Sequence, residues 1–161
     1  IEDGFVMYEA AAITMYIADQ YGEAELAPPP ATLSRARYYQ WMAYLTNSVQ
    51  EALNQWFHPD HFVSGTQTES AFKKNAEKRL EKMWSNLDEA LSKSPYLLGD
   101  KFSACDAYLF FLTCWQTRLK KSMIRERLHL ARFFETVKHR PSVRRTLEAE
   151  GIASWYSINN D

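Results

Sequence analysis

The chain has 161 residues, of which 46% are apolar and 24% are charged. This composition fits one globular domain, or one domain with part of another, and it excludes a disordered chain or a coiled rod. Nineteen basic and twenty acidic residues leave a net charge of −1, so we expect neither nucleic acid nor an anionic membrane surface as a partner. No apolar run approaches the roughly 18–20 residues of a membrane span.

The balance of residue types favours helix over sheet. Ala and Leu together number 33, whereas Val and Ile number 11. The first seven residues are the exception, because Glu2-Asp3-Gly4 has the composition of a tight turn and precedes a short apolar run. We therefore predict an all-α helical bundle that follows the last part of a β-sheet, with the partner strands outside this sequence.

A first helix is predicted over residues 8–21, where apolar residues recur at helical spacing and Gly22 stands at the expected C-cap. The run Pro28-Pro29-Pro30 cannot continue a helix and favours an extended, stiff connection. We interpret residues 25–32 as a linker between two domains.

Five further helices are predicted after this linker. The longest covers residues 33–57, where apolar residues recur at steps of three and four. A surface loop around Ser64-Gly65 then precedes a second long helix, over residues 72–91. The remaining three are predicted over residues 104–117 and 128–138 and from Pro141 to a cap at Gly151, and a tail with Trp155 and Tyr156 follows.

The helix predicted from residue 104 carries a capping motif at its start. Ser103 places a hydroxyl at the N-cap and Asp106 places an acid three residues later, which is the spacing of a reciprocal capping box. Such side chains satisfy the amides that a helix start leaves without partners. We interpret Ser103 and Asp106 as a folding device and not as catalytic residues.

Two groups of residues could carry metal or thiol chemistry. His58-Pro59-Asp60-His61 contains metal-ligand types, but it lies across a proline at a helix end without a second ligand pair nearby, so we expect a loop anchor and no metal. Cys105 and Cys114 lie more than two helical turns apart, too far for a disulfide. We expect two buried free thiols and a reducing, cytoplasmic location.

The motifs of phosphate-binding loops, serine hydrolases and dithiol redox enzymes do not occur. The remaining candidate site is Glu9-Ala10-Ala11-Ala12-Ile13, where a carboxylate stands at a helix start whose amides are free to bind an anion. On its own, this pattern is explained more simply by a favourable interaction of Glu9 with the helix dipole.

Three segments taken together resemble the cytosolic glutathione transferase family. They are Asp3-Gly4 with Glu9-Ala10-Ala11-Ala12-Ile13 and the following Tyr16-Ile17-Ala18-Asp19-Gln20-Tyr21; the loop and cap Leu98-Gly99-Asp100-Lys101-Phe102-Ser103-Ala104-Cys105-Asp106; and His139-Arg140-Pro141-Ser142-Val143 with Glu150-Gly151. Each motif is weak alone, but their order and spacing agree over nearly the whole chain.

The resemblance implies a division of the chain into parts. The family has a thioredoxin-like N-terminal domain, which binds glutathione, and an all-helical C-terminal domain. Residues 1–24 would be a remnant of the first domain, residues 25–32 the Pro-rich linker and residues 33–161 the helical domain. The catalytic Ser, Tyr or Cys of the family would lie upstream of Ile1, so we expect this chain to be inactive by itself.

The resemblance also implies a function, which is conjugation of the glutathione thiolate to small apolar electrophiles without a metal. Glu9 would hold the ammonium of the γ-glutamyl group. Ala10 stands where the family usually has Ser and would bind the carboxylate of that group through its amide alone. We expect weaker glutathione binding as a result.

The electrophile pocket and the partner follow from the same resemblance. The pocket walls would include Tyr38, Trp41, Met42 and Asn54, although the helical stripe that contains them also fits the core of the bundle. A homodimer is implied as well. The alternative function is a non-catalytic interaction or regulatory module of the same fold, which the absence of a serine at Ala10 favours.

Overall fold

The computed structural model describes residues 4–116 and 123–152. Within these ranges the chain forms helices and no β-strand, so the predicted all-α class is confirmed. The α-helices are α1 Ala10–Gln20, α2 Leu33–Tyr44, α3 Glu51–Phe57, α4 Thr66–Leu91, α5 Ala104–Gln116, α6 Leu128–Lys138 and α7 Pro141–Ala149. A π-helical segment, Leu45–Gln50, joins α2 to α3, and single 3₁₀ turns occupy Gly22–Ala24 and Pro59–His61.

The core lies between α2, the π-helical segment, α4, α5 and α6. Helix α4 packs against α3 on one side and α6 on another. It turns a stripe of fully buried side chains inward, formed by Leu80, Trp84, Leu87 and Leu91. Burying a side chain of this size stabilises the fold by about 1.5–3 kcal/mol. Among the helices described, none combines the length and the apolar character needed to cross a bilayer.

Helix α1 is fixed to this bundle along one face. Ala18 is buried, and Ala11 and Met15 pack against the core cluster. The linker is fixed as well, because the Ala104 N–H at the start of α5 donates to the carbonyl of Leu26 at 2.8 Å. The N-terminus of α1 is therefore held in a defined position relative to α5.

Arg35 joins α1, the linker and α2. Its side chain is buried, and its Nη2 donates to both carboxylate oxygens of Asp19 at 2.7 Å, while Nη1 donates to the carbonyl of Pro28 at 2.9 Å. The hydrogen bond to Asp19 raises the pKa of Arg35, so the guanidinium stays charged. Thr32 caps α2 by accepting the Arg35 N–H at 3.1 Å.

The start of α5 differs from the predicted reciprocal capping box in one bond. The Asp106 carboxylate accepts the Ser103 N–H at 2.8 Å and the Leu97 N–H at 2.9 Å. The Ser103 hydroxyl also donates to this carboxylate, at 2.7 Å, and does not cap the amide of residue 106. Burial raises the pKa of Asp106, whereas the hydrogen bonds from Ser103 and Leu97 act in the opposite direction.

Several predicted boundaries need correction. Residues 5–7 form no strand, and residues 1–3 of the expected hairpin lie outside the described residues. Gly22 does not cap α1, because the C-cap of this helix is Tyr21. Gly22 begins the 3₁₀ turn that follows, and the residue with a left-handed backbone is Glu25, the C-cap of that turn, with φ of 50°. The prediction of α6 is confirmed, as is the cap after α7 at Gly151, with φ of 65°. Trp155 and Tyr156 lie outside the described residues.

Candidate functional site

A cleft of about 470 Å³ opens where the start of α1, the π-helical segment, α3 and the face of α5 meet. Its walls combine carboxylate, amide, hydroxyl and aromatic groups from these elements. The lining residues are Glu9, Ala10, Ala11, Ala12, Met15, Thr46, Asn47, Gln50, Glu51, Asn54, Tyr108 and Trp115. The predicted glutathione residues Glu9 and Ala10 and the predicted pocket residue Asn54 therefore face one cavity.

Glu9 has a strained backbone at the mouth of this cleft. Its φ of 71° and ψ of 105° lie outside the regions that residues with a side chain normally adopt. A conformation of this kind costs about 1–3 kcal/mol and persists where the surrounding structure imposes it, most often at functional sites. The Glu9 carbonyl accepts the Ile13 N–H at 3.0 Å, which begins α1. The carboxylate makes no capping bond to the helix and is left exposed.

The three residues that follow Glu9 line the same cleft. Ala10, Ala11 and Ala12 form the first turn of α1, where the N–H groups have no partners within the helix. These groups carry the positive end of the helix dipole. A carboxylate acceptor and a set of amide donors stand side by side, which complements the ammonium and carboxylate of an amino acid.

The π-helical segment forms the opposite wall. Its wider turn places Thr46, Asn47 and Gln50 on the cleft, and such turns are frequent at functional sites. The Thr46 hydroxyl donates to the carbonyl of Met42 at 2.9 Å. We predicted residues 33–57 as one long helix; the run is helical throughout, but the apolar stripe gave no signal for the π turn.

Tyr108 and Trp115 extend from α5 into the cleft, and the sequence prediction missed both. The Tyr108 hydroxyl donates to Oε1 of Gln50. Burial raises the pKa of Tyr108, and the negative charge of Glu9 adds to the rise, so the phenol remains a hydrogen-bond donor at neutral pH. Trp115 packs edge-on against Phe57, with ring centroids 6.3 Å apart, and supplies an apolar wall.

The other predicted pocket residues lie away from this cleft. Tyr38 and Met42 are 0% and 2% exposed, respectively, and belong to the bundle core, which was the second interpretation of their stripe. Neither residue lines this cleft. Trp41 is half-buried and packs edge-on against Tyr44, at 5.9 Å between ring centroids. Of the four, Asn54 is the residue that lines the cleft.

A second and larger cavity, of about 840 Å³, lies beside the linker and contains no comparable set of free groups among the described residues. Four of its five charged side chains pair with each other, and the fifth is the carboxylate of Asp100. Arg35 holds Asp19, and the Lys101 Nζ lies 2.7 Å from Oε2 of Glu25. We therefore assign the functional site to the cleft at α1.

The two cysteines stand apart from the cleft. Both are buried, and burial raises the pKa of each thiol to about 12. The Cys105 thiol donates to the carbonyl of Tyr38 at 3.3 Å. Because a thiol attacks as its thiolate, neither Cys105 nor Cys114 provides a nucleophile at neutral pH.

Comparison with known families decides what kind of protein this is. Residues 38–141 match the family described as glutathione S-transferase, C-terminal domain. The chain belongs to the glutathione S-transferase family. The match spans the π-helical segment and the cleft residues of α3 and α5, whereas α1 with Glu9 lies before it.

Similar glutathione S-transferases are known from bacteria. Glutathione S-transferase GstA of Escherichia coli O157:H7 is 30% identical over 153 residues, which are 94% of this chain and 72% of the relative. The structure of a beta-class glutathione S-transferase from Sphingomonas chungbukensis is 30% identical with a TM-score of 0.81, and the similarity covers 94% of this chain and 72% of that one. BphK, a bacterial enzyme of the family solved as a ternary complex, has 26% identity and a TM-score of 0.84 over the same shares.

Proposed function

We propose that the protein containing this chain conjugates the thiolate of glutathione to small apolar electrophiles. The observation that carries the proposal is the exposed carboxylate of Glu9, a residue with a strained backbone, beside the amides at the start of α1. Family membership supplies the reaction class, and the cleft supplies the chemistry that recognises one end of glutathione. Glutathione is then a co-substrate, and we assign no metal to the reaction.

The γ-glutamyl end of glutathione fits this cleft by charge. Its ammonium would donate to the Glu9 carboxylate, and its carboxylate would accept from the Ala10 N–H and the amides of the next turn. Asn54 and the Tyr108 hydroxyl offer polar contacts further along, and Trp115 offers an apolar surface to the electrophile. Holding both substrates in one cleft reduces the entropic barrier to their reaction.

Ala10 sets the expected affinity. A serine in its place would add a hydroxyl donor to the glutathione carboxylate, and one such hydrogen bond is worth about 1–3 kcal/mol. Ala10→Ser in the complete protein should therefore lower the Kd for glutathione, as measured by calorimetry. An affinity that does not change would show that the γ-glutamyl carboxylate is not bound at this helix end.

The lack of a serine at Ala10 also supports a second function, that of a non-catalytic interaction or regulatory module. Two assays on the complete protein separate the alternatives. An enzyme should be retained on immobilised glutathione, elute with free glutathione and conjugate glutathione to a chlorinated aromatic electrophile. Absence of both retention and turnover would reject the enzyme and favour the module.

We also propose a homodimer. Large apolar side chains are exposed on α1 and α2 and next to them: Tyr39 of α2 is 50% exposed, Ile17 of α1 is 46% exposed, and Tyr21, which follows α1, is 58% exposed. Apolar side chains of this size are commonly covered by a partner. Light scattering during size-exclusion chromatography should give twice the mass calculated for one chain of the protein. A monomer mass at micromolar concentration would contradict the proposal.

Two further proposals concern location and domain organisation. Cys105 and Cys114 are buried and form no disulfide, which suits a reducing compartment, so we propose a cytoplasmic location. We propose that residues 25–32 mark the boundary between a glutathione-binding domain ending at residue 24 and the helical domain over residues 33–161. The stiff Pro28-Pro29-Pro30 run supports this boundary.

A further inference from the structure

Three metal-ligand side chains meet on the surface just beyond α3. The ligand atoms of His58, Asp60 and His61 all lie within 4.8 Å of one another, and all three residues are exposed. We propose that they bind one divalent transition-metal ion of the borderline class, represented by Cu²⁺, Ni²⁺ and Zn²⁺. This site differs from the expectation from the sequence, in which the proline and the lack of a second ligand pair nearby argue against a metal.

The proline in fact helps to order the turn. Residues Pro59–His61 form a 3₁₀ turn in which the His61 N–H donates to the carbonyl of His58 at 3.1 Å and the Phe62 N–H donates to that of Pro59 at 3.0 Å. His58 is itself tied to α3, because its N–H donates to the carbonyl of Asn54 at 2.8 Å. The backbone of the three ligand residues is therefore arranged before any ion arrives.

An aromatic contact anchors the far side of the turn. Phe62 stacks on Phe72 of α4, with ring centroids 5.5 Å apart and an angle of 27° between the rings. This contact ties the segment to the longest helix of the bundle. A binding site built on it pays little additional entropy for ordering its backbone.

The side chains must turn before they close on an ion, because the His58 and His61 rings are nearly parallel, at 13° and 5.0 Å between centroids, and parallel rings do not aim their nitrogens at one point. Rotation about the side-chain bonds of these exposed residues can bring one nitrogen of each ring together. The His61 Nε2 lies 3.8 Å from Oδ2 of Asp60. Two ligands of a tetrahedral zinc ion, each about 2.0–2.1 Å from it, lie about 3.3 Å apart. Because the side chains are exposed, this approach breaks no core packing.

The donor set selects the class of ion. Two imidazoles and one carboxylate suit Cu²⁺, Ni²⁺ and Zn²⁺, with Cu²⁺ bound most tightly by the general order of affinities. Mg²⁺ and Ca²⁺ prefer ligand sets made of oxygen alone. Three protein ligands also leave coordination positions for water. The inference does not depend on glutathione binding, because none of the three residues lines the cleft at α1.

Calorimetric titration of the complete, untagged protein with NiCl₂ and ZnCl₂ tests the site. We expect one ion per chain and no binding of MgCl₂. His61→Ala should weaken Ni²⁺ and Zn²⁺ binding by about tenfold or more, equal to about 1.4 kcal/mol. The matched control is His139→Ala, which removes another exposed imidazole, at the end of α6, and should leave the affinity unchanged.

Each result bears directly on the proposal. Unchanged affinity in His61→Ala, or an equal loss in His139→Ala, would overturn it, as would the absence of binding for both NiCl₂ and ZnCl₂. Circular dichroism of His61→Ala should match that of the parent protein, because the side chain lies outside the core. The less disruptive variant Asp60→Asn should weaken binding in the same direction and provides a second measure if His61→Ala misfolds.

Discussion

Replacing Glu9 by glycine should make the protein more stable and a poorer binder of glutathione at the same time. Glycine has no Cβ and tolerates the observed φ of 71° better than glutamate does, so Glu9→Gly releases part of the backbone strain of about 1–3 kcal/mol. The added freedom of glycine in the unfolded chain opposes this by about 0.4–1 kcal/mol. The free energy of unfolding should therefore rise by about 0–2 kcal/mol.

Glutathione binding should move in the opposite direction. Glu9→Gly removes the acceptor of a charge-assisted hydrogen bond to the ammonium, which is worth about 1.5–3 kcal/mol. The Kd for glutathione should rise by about 10- to 150-fold. Urea denaturation gives the first quantity and calorimetry the second, both on the complete protein.

Two control variants separate the backbone from the carboxylate. Glu9→Gln keeps the strained backbone and removes the charge, so its affinity should fall without a gain in stability. Ala31→Gly relieves another positive φ, of 60°, away from the cleft, so its stability should hold or rise with no change in affinity. A clear loss of stability in Glu9→Gly, or an affinity equal to that of the parent, would refute the reasoning.

Three further predictions concern the bundle that supports the site. Asp106→Asn leaves at least one of the buried donors on Leu97 and Ser103 without its acceptor. It should lower the free energy of unfolding, measured by urea denaturation, by about 1–3 kcal/mol. An unchanged urea midpoint would contradict the hydrogen-bond network at Asp106. In Arg35→Lys, the lysine cannot reach both Asp19 and the linker as the guanidinium does, so α1 should be held less firmly. Both glutathione binding and the free energy of unfolding should therefore decrease. An unchanged Kd and an unchanged free energy of unfolding would show that α1 is positioned by packing alone. Burial raises the thiol pKa of Cys105 and Cys114 to about 12, against about 8.5 in the unfolded chain. Their contribution to stability is full below pH 8.5 and is lost as the pH rises above it, by about 1.4 kcal/mol per pH unit for each thiol. The free energy of unfolding of Cys114→Ala, measured in reducing buffer, should therefore fall less steeply with pH than that of the parent. An equal slope in the two proteins would argue against this.

The elements that sequence predicted best are those whose apolar residues recur regularly between clear caps. Helix α6 begins and ends at the predicted residues, and Pro141 begins α7 as expected. Helix α4 begins at Thr66, earlier than predicted, because its first turns are polar and exposed and carry no apolar period. Burial makes a helix visible in a sequence, whereas a solvated turn resembles a loop.

The candidate site was only partly predictable. Glu9 and Ala10 were identified through the family motif. The backbone strain at Glu9 was not predictable, because a glutamate in the sequence gives no indication of a positive φ, which its side chain disfavours. Tyr108 joins the cleft only because the π turn places Gln50 opposite α5, and that pairing depends on tertiary packing. Tyr38 shows a second limit: periodicity located a helix face, which is part of the core, but it does not distinguish a core wall from a pocket wall.

A crystal structure of the complete protein with glutathione tests the central claim most directly. We expect the γ-glutamyl ammonium within hydrogen-bond distance of the Glu9 carboxylate and the adjacent carboxylate within hydrogen-bond distance of the Ala10 N–H. Glutathione bound elsewhere, or bound here with its γ-glutamyl group turned away from Glu9, would contradict it.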